Sequence, residues 1–249
     1  MKKILFFALA IALPVFAQTT QADEHSHPAW GYEGDGAPEN WGHLSPEYVM
    51  CGSGVNQTPV NIEGALNASL KPLLLTYKSG PLTIVNNGHT VQVNVAGGNT
   101  LKLDNKVFEL QQFHFHTPSE NLINGKAFPL EAHFVYKSQE GELAVMGLMF
   151  ADGKANKQLE EIWKVMPKEK SEPKALAKEL NIQALLPKQQ KYYRFSGSLT
   201  TPPCTEGVRW LVLKEASTIS KEQVDQFAAA VHSHNNRPVQ PLHGRLIVQ

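Results

Sequence analysis

Three histidines in the middle of the chain have the spacing of ligands on neighbouring β-strands. His114 and His116 are two positions apart in an alternating run, so on a strand their side chains point to the same face. His133 lies in a second alternating run, residues 130–135, and a hairpin between the runs brings it beside the first pair. Three neutral imidazoles with a fourth position open are the ligand set of a catalytic zinc ion. Such an ion turns bound water into hydroxide near neutral pH.

Two other interpretations fit the same residues. A histidine on an alternating strand is commonly a packed residue with a satisfied hydrogen bond, and spacing alone does not separate the two roles. His114, His116 and Glu120 also fit the first half of the double-stranded β-helix (cupin) pattern, which binds iron or manganese. That pattern requires a glycine where this chain has Ala127, and a later segment ending in a histidine ligand that we do not find.

The first residues have the pattern of an export signal. Lys2 and Lys3 form a basic start, residues 4–13 an apolar run, and residues 15–17 a small-residue cleavage site. We therefore predict a signal peptide over 1–17, a flexible segment over 18–28 and one domain over 29–249. The apolar run is too short to remain as a membrane-spanning helix. The pattern thus predicts an exported protein, periplasmic or secreted, without stable membrane insertion.

Charge and cysteine content narrow the partners and the compartment. The formal net charge is zero, and loss of the two lysines of the signal peptide makes it slightly negative. Because the sequence has no basic patch, we predict no nucleic-acid partner. Cys51 and Cys204 are exported together, which favours one disulfide between them; the alternative is two separate buried thiols.

Short alternating runs predict a mostly β protein of the α+β class. Alternating segments recur between residues 71 and 116, and Asn124-Gly125 is a turn signal between the two histidine runs. The continuous apolar run 143–150 is typical of a strand buried on both faces. We predict a single domain built on a large central, mainly antiparallel, twisted β-sheet with a few short peripheral helices.

Three segments are predicted to form these helices. Residues 156–166 place apolar side chains on one face, and Pro167 ends the pattern. Residues 172–180 begin with Pro173, which suits the first turn of a helix. Ser220 and Gln223 form a capping box before a third apolar face.

A second group of chemically useful residues lies near position 200. Thr200 precedes Pro202 and Pro203, which fix two φ angles and remove two backbone donors. A disulfide at Cys204 would anchor the segment on its other side, so that the Thr200 hydroxyl is held firmly enough to orient a small bound species. By composition alone, the segment also fits an ordinary proline-rich surface loop.

Short motifs along the chain form one recognisable set. They are WGY at 30–32, QTPVNI at 57–62, NNGH at 86–89, QFHFH at 112–116, Glu120, LEAHFV at 130–135, SLTTPPC at 198–204 and NNRPVQPLHGR at 235–245. In this order, and over nearly the whole chain after the predicted signal, they resemble the α-class carbonic anhydrases that bacteria export. The resemblance implies a carbonic anhydrase catalytic domain over residues 29–249.

The resemblance implies a role for each matching residue. His114, His116 and His133 match the ligands of a Zn²⁺ ion. Thr200 matches the hydroxyl that contacts the zinc-bound hydroxide, and Glu120 matches the buried carboxylate beside it. Gln112 and Glu131 match partners of the ligands.

The resemblance also implies a route for the proton and a pocket for the substrate. His89 matches the proton shuttle, and Tyr32, Asn87 and Gln92 match the residues around its water chain. The residues that match the substrate pocket are Val135, Val145, Leu199, Thr201, Val208 and Trp210.

The activity that the resemblance implies is the reversible hydration of carbon dioxide to bicarbonate and a proton, by zinc-bound hydroxide and a histidine shuttle. Anions and sulfonamides are expected to inhibit it. The alternative is a non-catalytic carbonic-anhydrase-like binding module, since some family members have lost zinc ligands; the presence of all three histidines favours the enzyme. The resemblance also suggests cis peptide bonds before Pro59 and Pro203.

Overall fold

One large β-sheet organises the chain. The computed structural model describes residues 29–176, 180–232 and 234–249, and eleven of the strands in these ranges form a single sheet. The strands are β1 (Asn61–Ile62), β2 (Leu74–Thr76), β3 (Leu82–Asn86), β4 (Val91–Val95), β5 (Thr100–Leu103), β6 (Lys106–His116), β7 (Leu122–Ile123), β8 (Leu130–Ser138), β9 (Leu143–Asp152), β10 (Lys174–Ala175), β11 (Tyr192–Ser198), β12 (Glu206–Leu213) and β13 (Ser217–Ile219).

Helices are short and lie around this sheet. The α-helices are α1 (Trp41–Leu44), α2 (Met50–Ser53), α3 (Lys157–Trp163) and α4 (Lys221–Ala230). Single turns of 3₁₀-helix occupy Gly34–Gly36, Pro38–Asn40, Pro46–Tyr48 and Ile182–Leu185. Within the described ranges, no helix is long and apolar enough to cross a membrane. The predicted signal peptide and the flexible segment, residues 1–28, lie outside the described residues.

The sheet is mainly antiparallel. Its spatial order is β10-β3-β4-β6-β8-β9-β12-β11, with β5 beside β6, β2 beside β5, and β13 beside β9. The pairs of β9 with β12 and with β13 are parallel, whereas the other pairs in the large sheet are antiparallel. Strands β1 and β7 form a separate parallel pair. The predicted large, mainly antiparallel sheet with a few short helices is therefore confirmed.

The main hydrophobic core lies on one face of the sheet. Phe113, Phe115 and Phe134 are fully buried there, and the edge of the Phe115 ring meets Trp163 of α3 and Phe227 of α4. Because side chains alternate along a strand, the residues between these phenylalanines point to the opposite face. That opposite face carries all three histidines predicted from spacing. Strand β9 is buried from residue 144 to 150, as predicted for a strand covered on both faces.

A β-bulge in β6 sets which side chains reach each face. Leu110 pairs with Tyr136 and Gln112 with Val135, so that Gln111 is an extra residue on β6. The extra residue shifts the alternation by one position. As a result Leu110 and Phe113 both point into the main core, while Gln112 is turned to the face of the histidines. The sequence analysis did not predict this bulge.

Two of the three helix predictions are confirmed. Helix α3 begins after Asn156, whose side chain accepts hydrogen bonds from the backbone of Gln158 and Leu159. Helix α4 has the predicted capping box between Ser220 and Gln223. Both helices therefore begin where a side-chain acceptor satisfies the free N–H groups of the first turn.

The predicted helix over residues 172–180 is wrong where the structure describes it. Lys174 and Ala175 form strand β10, which pairs with β3 at the edge of the sheet. The Leu176 N–H extends this pairing to the Leu82 carbonyl. An unpaired strand edge offers a row of backbone partners, and this tertiary pairing outweighs the weak helical preference of the segment. Residues 177–179 lie outside the described ranges.

A disulfide and a cis peptide bond restrain the segment after Thr200. Cys51 and Cys204 form a disulfide with their Cα atoms 5.0 Å apart, which confirms the predicted pairing. The peptide bonds before Pro59 and Pro203 are cis, as predicted, and a third cis bond, before Pro118, was not predicted.

We expect the double substitution Cys51→Ser with Cys204→Ser to lower the free energy of unfolding by about 2–5 kcal/mol, because the disulfide closes a loop of 153 positions. Urea titration of the oxidised wild-type and variant proteins measures the difference. Wild-type protein unfolded in the presence of a reductant serves as the control and should match the variant. Equal urea midpoints for oxidised wild type and variant would contradict the expectation.

Candidate metal centre

The three predicted histidines meet on one face of the sheet. His114 lies directly opposite His133 in the pairing of β6 with β8, and His116 follows two residues later on the same face. The ring centroids are 4.6 to 5.5 Å apart. One nitrogen from each ring lies within 4.8 Å of the others. His116 and His133 are buried, and His114 is partly exposed.

Hydrogen bonds determine which nitrogens of His114 and His116 are free. The Nδ1 atom of His114 lies 2.8 Å from Oε1 of Gln112, and Nδ1 of His116 lies 2.7 Å from the main-chain carbonyl of Asn235. Both partners accept hydrogen bonds, so each Nδ1 carries the ring proton when the imidazole is neutral. The lone pair on Nε2 is then free in both rings.

His133 has the opposite arrangement. Its Nε2 atom lies 3.0 Å from Oε1 of Glu131, a short contact that lacks the alignment of a straight hydrogen bond. Glu131 is held in turn by the backbone N–H groups of Glu120 and Asn121 and by the Asn121 amide. Burial raises the pKa of Glu131 to about 6, and the hydrogen bonds from Asn121 oppose this shift. With Nε2 facing Glu131, Nδ1 of His133 is the nitrogen left to join the group of three.

The environment keeps all three rings neutral. Burial lowers the pKa of His114 and of His133 well below the usual value, and it lowers the pKa of His116 to about 4. The Nε2 atom of His116 is buried without a hydrogen-bond partner. Such an atom is costly unless something uses its lone pair. Three converging neutral imidazoles fit a Zn²⁺ ion with one position left open.

Glu120 lies behind the rings and is not part of the ligand group. Its carboxylate oxygens are 3.5 Å from Nδ1 of His116 and 3.8 Å from Nδ1 of His133. Its Oε1 accepts a hydrogen bond from the backbone N–H of Arg237, whereas its buried Oε2 has no partner of normal geometry. Burial raises the pKa of Glu120 to about 8; the Arg237 N–H and the nearby Thr200 hydroxyl lower it. The cupin arrangement, with the glutamate as ligand, therefore does not apply.

Thr200 follows strand β11 and is 5% exposed. Two residues earlier, Ser198 and Thr58 exchange hydrogen bonds between the backbone N–H of each and the hydroxyl of the other. The Trp210 indole donates to the Ser198 carbonyl, and the Thr201 carbonyl closes the proline turn by accepting from Cys204. These contacts fix the backbone on both sides of Thr200.

Five of the six residues predicted to receive the substrate form an apolar wall beside His133. Val145, Val208 and Trp210 are at most 2% exposed, and the Trp210 ring meets the His133 ring edge-on at 4.9 Å. Val135 and Leu199 pack against the same cluster. The sixth predicted residue, Thr201, lies in the proline turn and is not part of the cluster.

His89, the predicted proton shuttle, is half-buried in a bend after β3. Its ring stacks on Trp30, with the centroids 3.7 Å apart and the planes 7° from parallel. Burial lowers the pKa of His89, and the charge of Lys170 lowers it further. The side-chain oxygen of Asn87 accepts from the backbone N–H groups of His89 and Thr90, so Asn87 shapes the bend.

The other two residues predicted around the water chain lie on different elements. Gln92 is on β4 opposite His114, and its amide donates to Asn94 at 2.6 Å. The Tyr32 hydroxyl is buried without a hydrogen-bond partner in the described protein, and burial raises the pKa of Tyr32 well above the usual value.

Sequence reasoning missed several groups that contact the predicted site. The Asn235 carbonyl and the Arg237 N–H are main-chain atoms, which have no side-chain signature. Both residues lie in the NNRPVQPLHGR motif, and this motif was the only available signal. Asn121 and Trp30 are also partners whose roles the spacing did not reveal.

Comparison with known sequences identifies one protein family. A sequence model of the eukaryotic-type carbonic anhydrases matches residues 36–249. The carbonic anhydrase of Pectobacterium atrosepticum is 54% identical over 242 residues, which are 97% of this chain and 98% of that protein.

Solved structures of the same family resemble this chain. The α-carbonic anhydrase of Thermovibrio ammonificans, in complex with the inhibitor sulfanilamide, is 47% identical with a TM-score of 0.87, over 89% of this chain and 99% of that one. The α-carbonic anhydrase of Photobacterium profundum is 48% identical with a TM-score of 0.84, over 89% and 100%. The chain belongs to the α-class, or eukaryotic-type, carbonic anhydrase family.

Proposed function

We propose that this protein catalyses the reversible hydration of carbon dioxide to bicarbonate and a proton, with one Zn²⁺ ion held by His114, His116 and His133. The observation that carries the proposal is the convergence of three free imidazole nitrogens beside Glu120 and Thr200. A Zn²⁺ ion with three imidazole ligands and one open position supplies hydroxide at neutral pH, because it lowers the pKa of bound water from 15.7 to about 7.

Glu120 and Thr200 orient the nucleophile. The Arg237 N–H occupies Oε1 of Glu120, so Oε2 is the acceptor available to the Thr200 hydroxyl once the charge of a nearby Zn²⁺ ion favours the ionised carboxylate. A hydroxyl group can donate one hydrogen bond. If the Thr200 hydroxyl donates its hydrogen bond to Glu120, the Thr200 oxygen can only accept a hydrogen bond from the nucleophile. The nucleophile must therefore donate its own hydrogen to Thr200, which directs its lone pair toward the substrate carbon. Such alignment is a large part of what an enzyme contributes to a reaction between small species.

The apolar wall suits carbon dioxide better than bicarbonate. Carbon dioxide is neutral and has no net dipole, so it gains from contact with Val145, Val208 and Trp210. Bicarbonate is charged and pays a desolvation penalty at the same surface. The wall therefore holds the substrate near the nucleophile and favours departure of the product.

His89 carries the released proton to solvent. It lies half-buried beside Trp30, and a histidine titrates in the range where it can take a proton from water and give it to buffer. Gln92 and the buried Tyr32 hydroxyl offer polar groups for the intervening water, and Asn87 holds the bend.

Inhibition and location follow from the same proposal. Anions and deprotonated sulfonamides would compete for the open zinc position, and the sulfanilamide complex of the Thermovibrio ammonificans relative supports this. The Cys51–Cys204 disulfide fits an oxidising compartment, and together with the export pattern of residues 1–17 it supports a periplasmic or secreted protein.

The decisive experiment compares wild type, His133→Ala and His43→Ala. We expect near-stoichiometric zinc and fast carbon dioxide hydration in wild type, and loss of both in His133→Ala, because two imidazoles bind zinc poorly. His43 is exposed on α1 and its substitution should change neither property. Metal analysis and stopped-flow hydration give the two readouts. Zinc-loaded wild type that hydrates carbon dioxide no faster than buffer would refute the enzyme proposal and favour a binding role.

We expect His89→Ala to lower kcat for hydration in weak buffer by up to about 100-fold, the lower end of the usual contribution of general acid–base catalysis. Added imidazole buffer should restore much of the rate, and hydrolysis of an activated ester should change little because attack limits that reaction. Stopped-flow rates at several buffer concentrations measure the effect. A variant with an unchanged rate at the lowest buffer concentration would show that protons leave by another route.

We expect Gly147→Ala to lower Zn²⁺ affinity by about 10- to 100-fold, the usual effect of disturbing a partner of a metal ligand. Gly147 lies opposite His133 in the sheet, and a Cβ atom there would be 2.9 Å from Oε1 of Glu131. The carboxylate would then have to move away from His133. Competition with a chromophoric chelator measures the affinity.

Gly80→Ala provides the matched control, since its Cβ would meet only Ala96 at an ordinary 3.7 Å. Equal Zn²⁺ affinity for Gly147→Ala, Gly80→Ala and wild type would mean that the position of Glu131 does not matter to the site.

A further inference from the structure

The segment 235–237 contacts the candidate metal centre at two points. The Asn235 carbonyl lies 2.7 Å from Nδ1 of His116, and the Arg237 N–H lies 2.8 Å from Oε1 of Glu120. Both contacts use main-chain atoms. Whatever fixes the backbone of this segment therefore fixes the orientation of a metal ligand and of the carboxylate behind Thr200 together.

The Arg237 side chain is placed to do this. It is 2% exposed, and its guanidinium donates to the Gln57 side chain, the Thr58 carbonyl and the Cys51 carbonyl, each at 2.8 Å. A planar guanidinium with several fixed donors can hold such acceptors in one geometry, which the single ammonium of a lysine cannot. The Trp41 ring covers it, with its centroid 5.6 Å from Cζ.

The groups that Arg237 binds belong to the part of the chain that carries Thr200. Cys51 is linked by the disulfide to Cys204, and the Gln57 amide donates to the Cys204 carbonyl. Thr58 exchanges hydrogen bonds with Ser198, two residues before Thr200. The guanidinium thus connects the segment 235–237 to both sides of the Thr200 turn.

The charge of Arg237 is expensive to bury. The three oxygens that accept from its guanidinium, one side-chain amide and two main-chain carbonyls, are uncharged, so they compensate only part of the lost hydration. Burial lowers its pKa to about 10, which still leaves it protonated at neutral pH. The charge of Glu120 opposes this shift, so the guanidinium acts on Glu120 through its charge as well as through the Arg237 backbone N–H.

We propose that Arg237 is a positioning residue for the hydration reaction. Its guanidinium fixes the segment 235–237 so that the Asn235 carbonyl keeps the proton of His116 on Nδ1 and leaves Nε2 free for the metal. The same restraint keeps the Arg237 N–H on Oε1 of Glu120, which leaves Oε2 to Thr200. This inference deepens the proposed function and rests on it.

The test compares Arg237→Gln and Arg237→Lys with Arg245→Gln. Arg245 makes a matched control because its guanidinium also binds main-chain carbonyls, including that of Gln57 at 2.6 Å and that of Ser196 at 2.9 Å. Its own backbone N–H donates to the Leu242 carbonyl instead of to Glu120. Urea titration of all three variants shows how much stability each loses.

Two further readouts report positioning. In zinc-loaded protein, we expect kcat/KM for hydration to fall by up to about 100-fold in Arg237→Gln, with zinc content retained, and by less in Arg237→Lys. In metal-free protein, long-range ¹H–¹⁵N spectra of the imidazoles should show His116 as one tautomer in wild type and Arg245→Gln, and as a mixture in the Arg237 variants.

The outcomes separate the possibilities. Unchanged kcat/KM and a single His116 tautomer in Arg237→Gln, with a stability loss like that of Arg245→Gln, would overturn the proposal. If Arg237→Gln does not fold, the same two readouts on Arg237→Lys decide, and unchanged values there overturn it. Wild type that lacks hydration activity would refute the proposed function, while the tautomer of metal-free protein would still test the hold of Arg237 on His116.

Discussion

Three imidazole lone pairs directed at one point in a largely buried space are the constraint on which the rest of this structure depends. Each ring must be neutral, and its second nitrogen must meet an acceptor, or the free nitrogen turns away. Gln112, the Asn235 carbonyl and Glu131 meet that requirement one ring at a time. Those partners need partners of their own, which is why Asn121 and the neighbouring backbone N–H groups converge on Glu131.

The sheet supplies the accuracy that such a centre needs. Two ligands come from one strand and the third from its antiparallel neighbour, so the backbone ladder fixes their separation before any side chain packs. The same strands bury phenylalanines on their other face. The bulge at Gln111 reconciles the two demands, because it lets Leu110 and Phe113 share the main core while Gln112 faces His114. Packing of the phenylalanines on one face of the sheet thus stabilises the positions of the histidines on the other face.

Much of this centre could be predicted from the sequence, because residue types and their spacing show which side chains can bind a metal. The spacing of His114, His116 and His133 led to their grouping, and the motif set led to a family assignment that is confirmed. The joint export of Cys51 and Cys204 led to the disulfide, which is also confirmed. The predicted roles of the remaining site residues stay predictions. The bulge, strand β10 and the cis bond before Pro118 were missed because each depends on how distant parts of the chain pack. Main-chain partners such as the Asn235 carbonyl could not be predicted, because nearly every residue carries the same backbone groups.

The contribution of residues 235–237 has a consequence for the order in which the protein is made. A chain grows from its amino terminus, so the three histidines are complete long before the carbonyl that orients His116 exists. The partner of Glu120 at Arg237 arrives equally late. A nascent chain therefore contains the ligands without the groups that direct them. Loading with metal in the correct geometry therefore has to wait until residues 235–237 have been made and have packed against the centre.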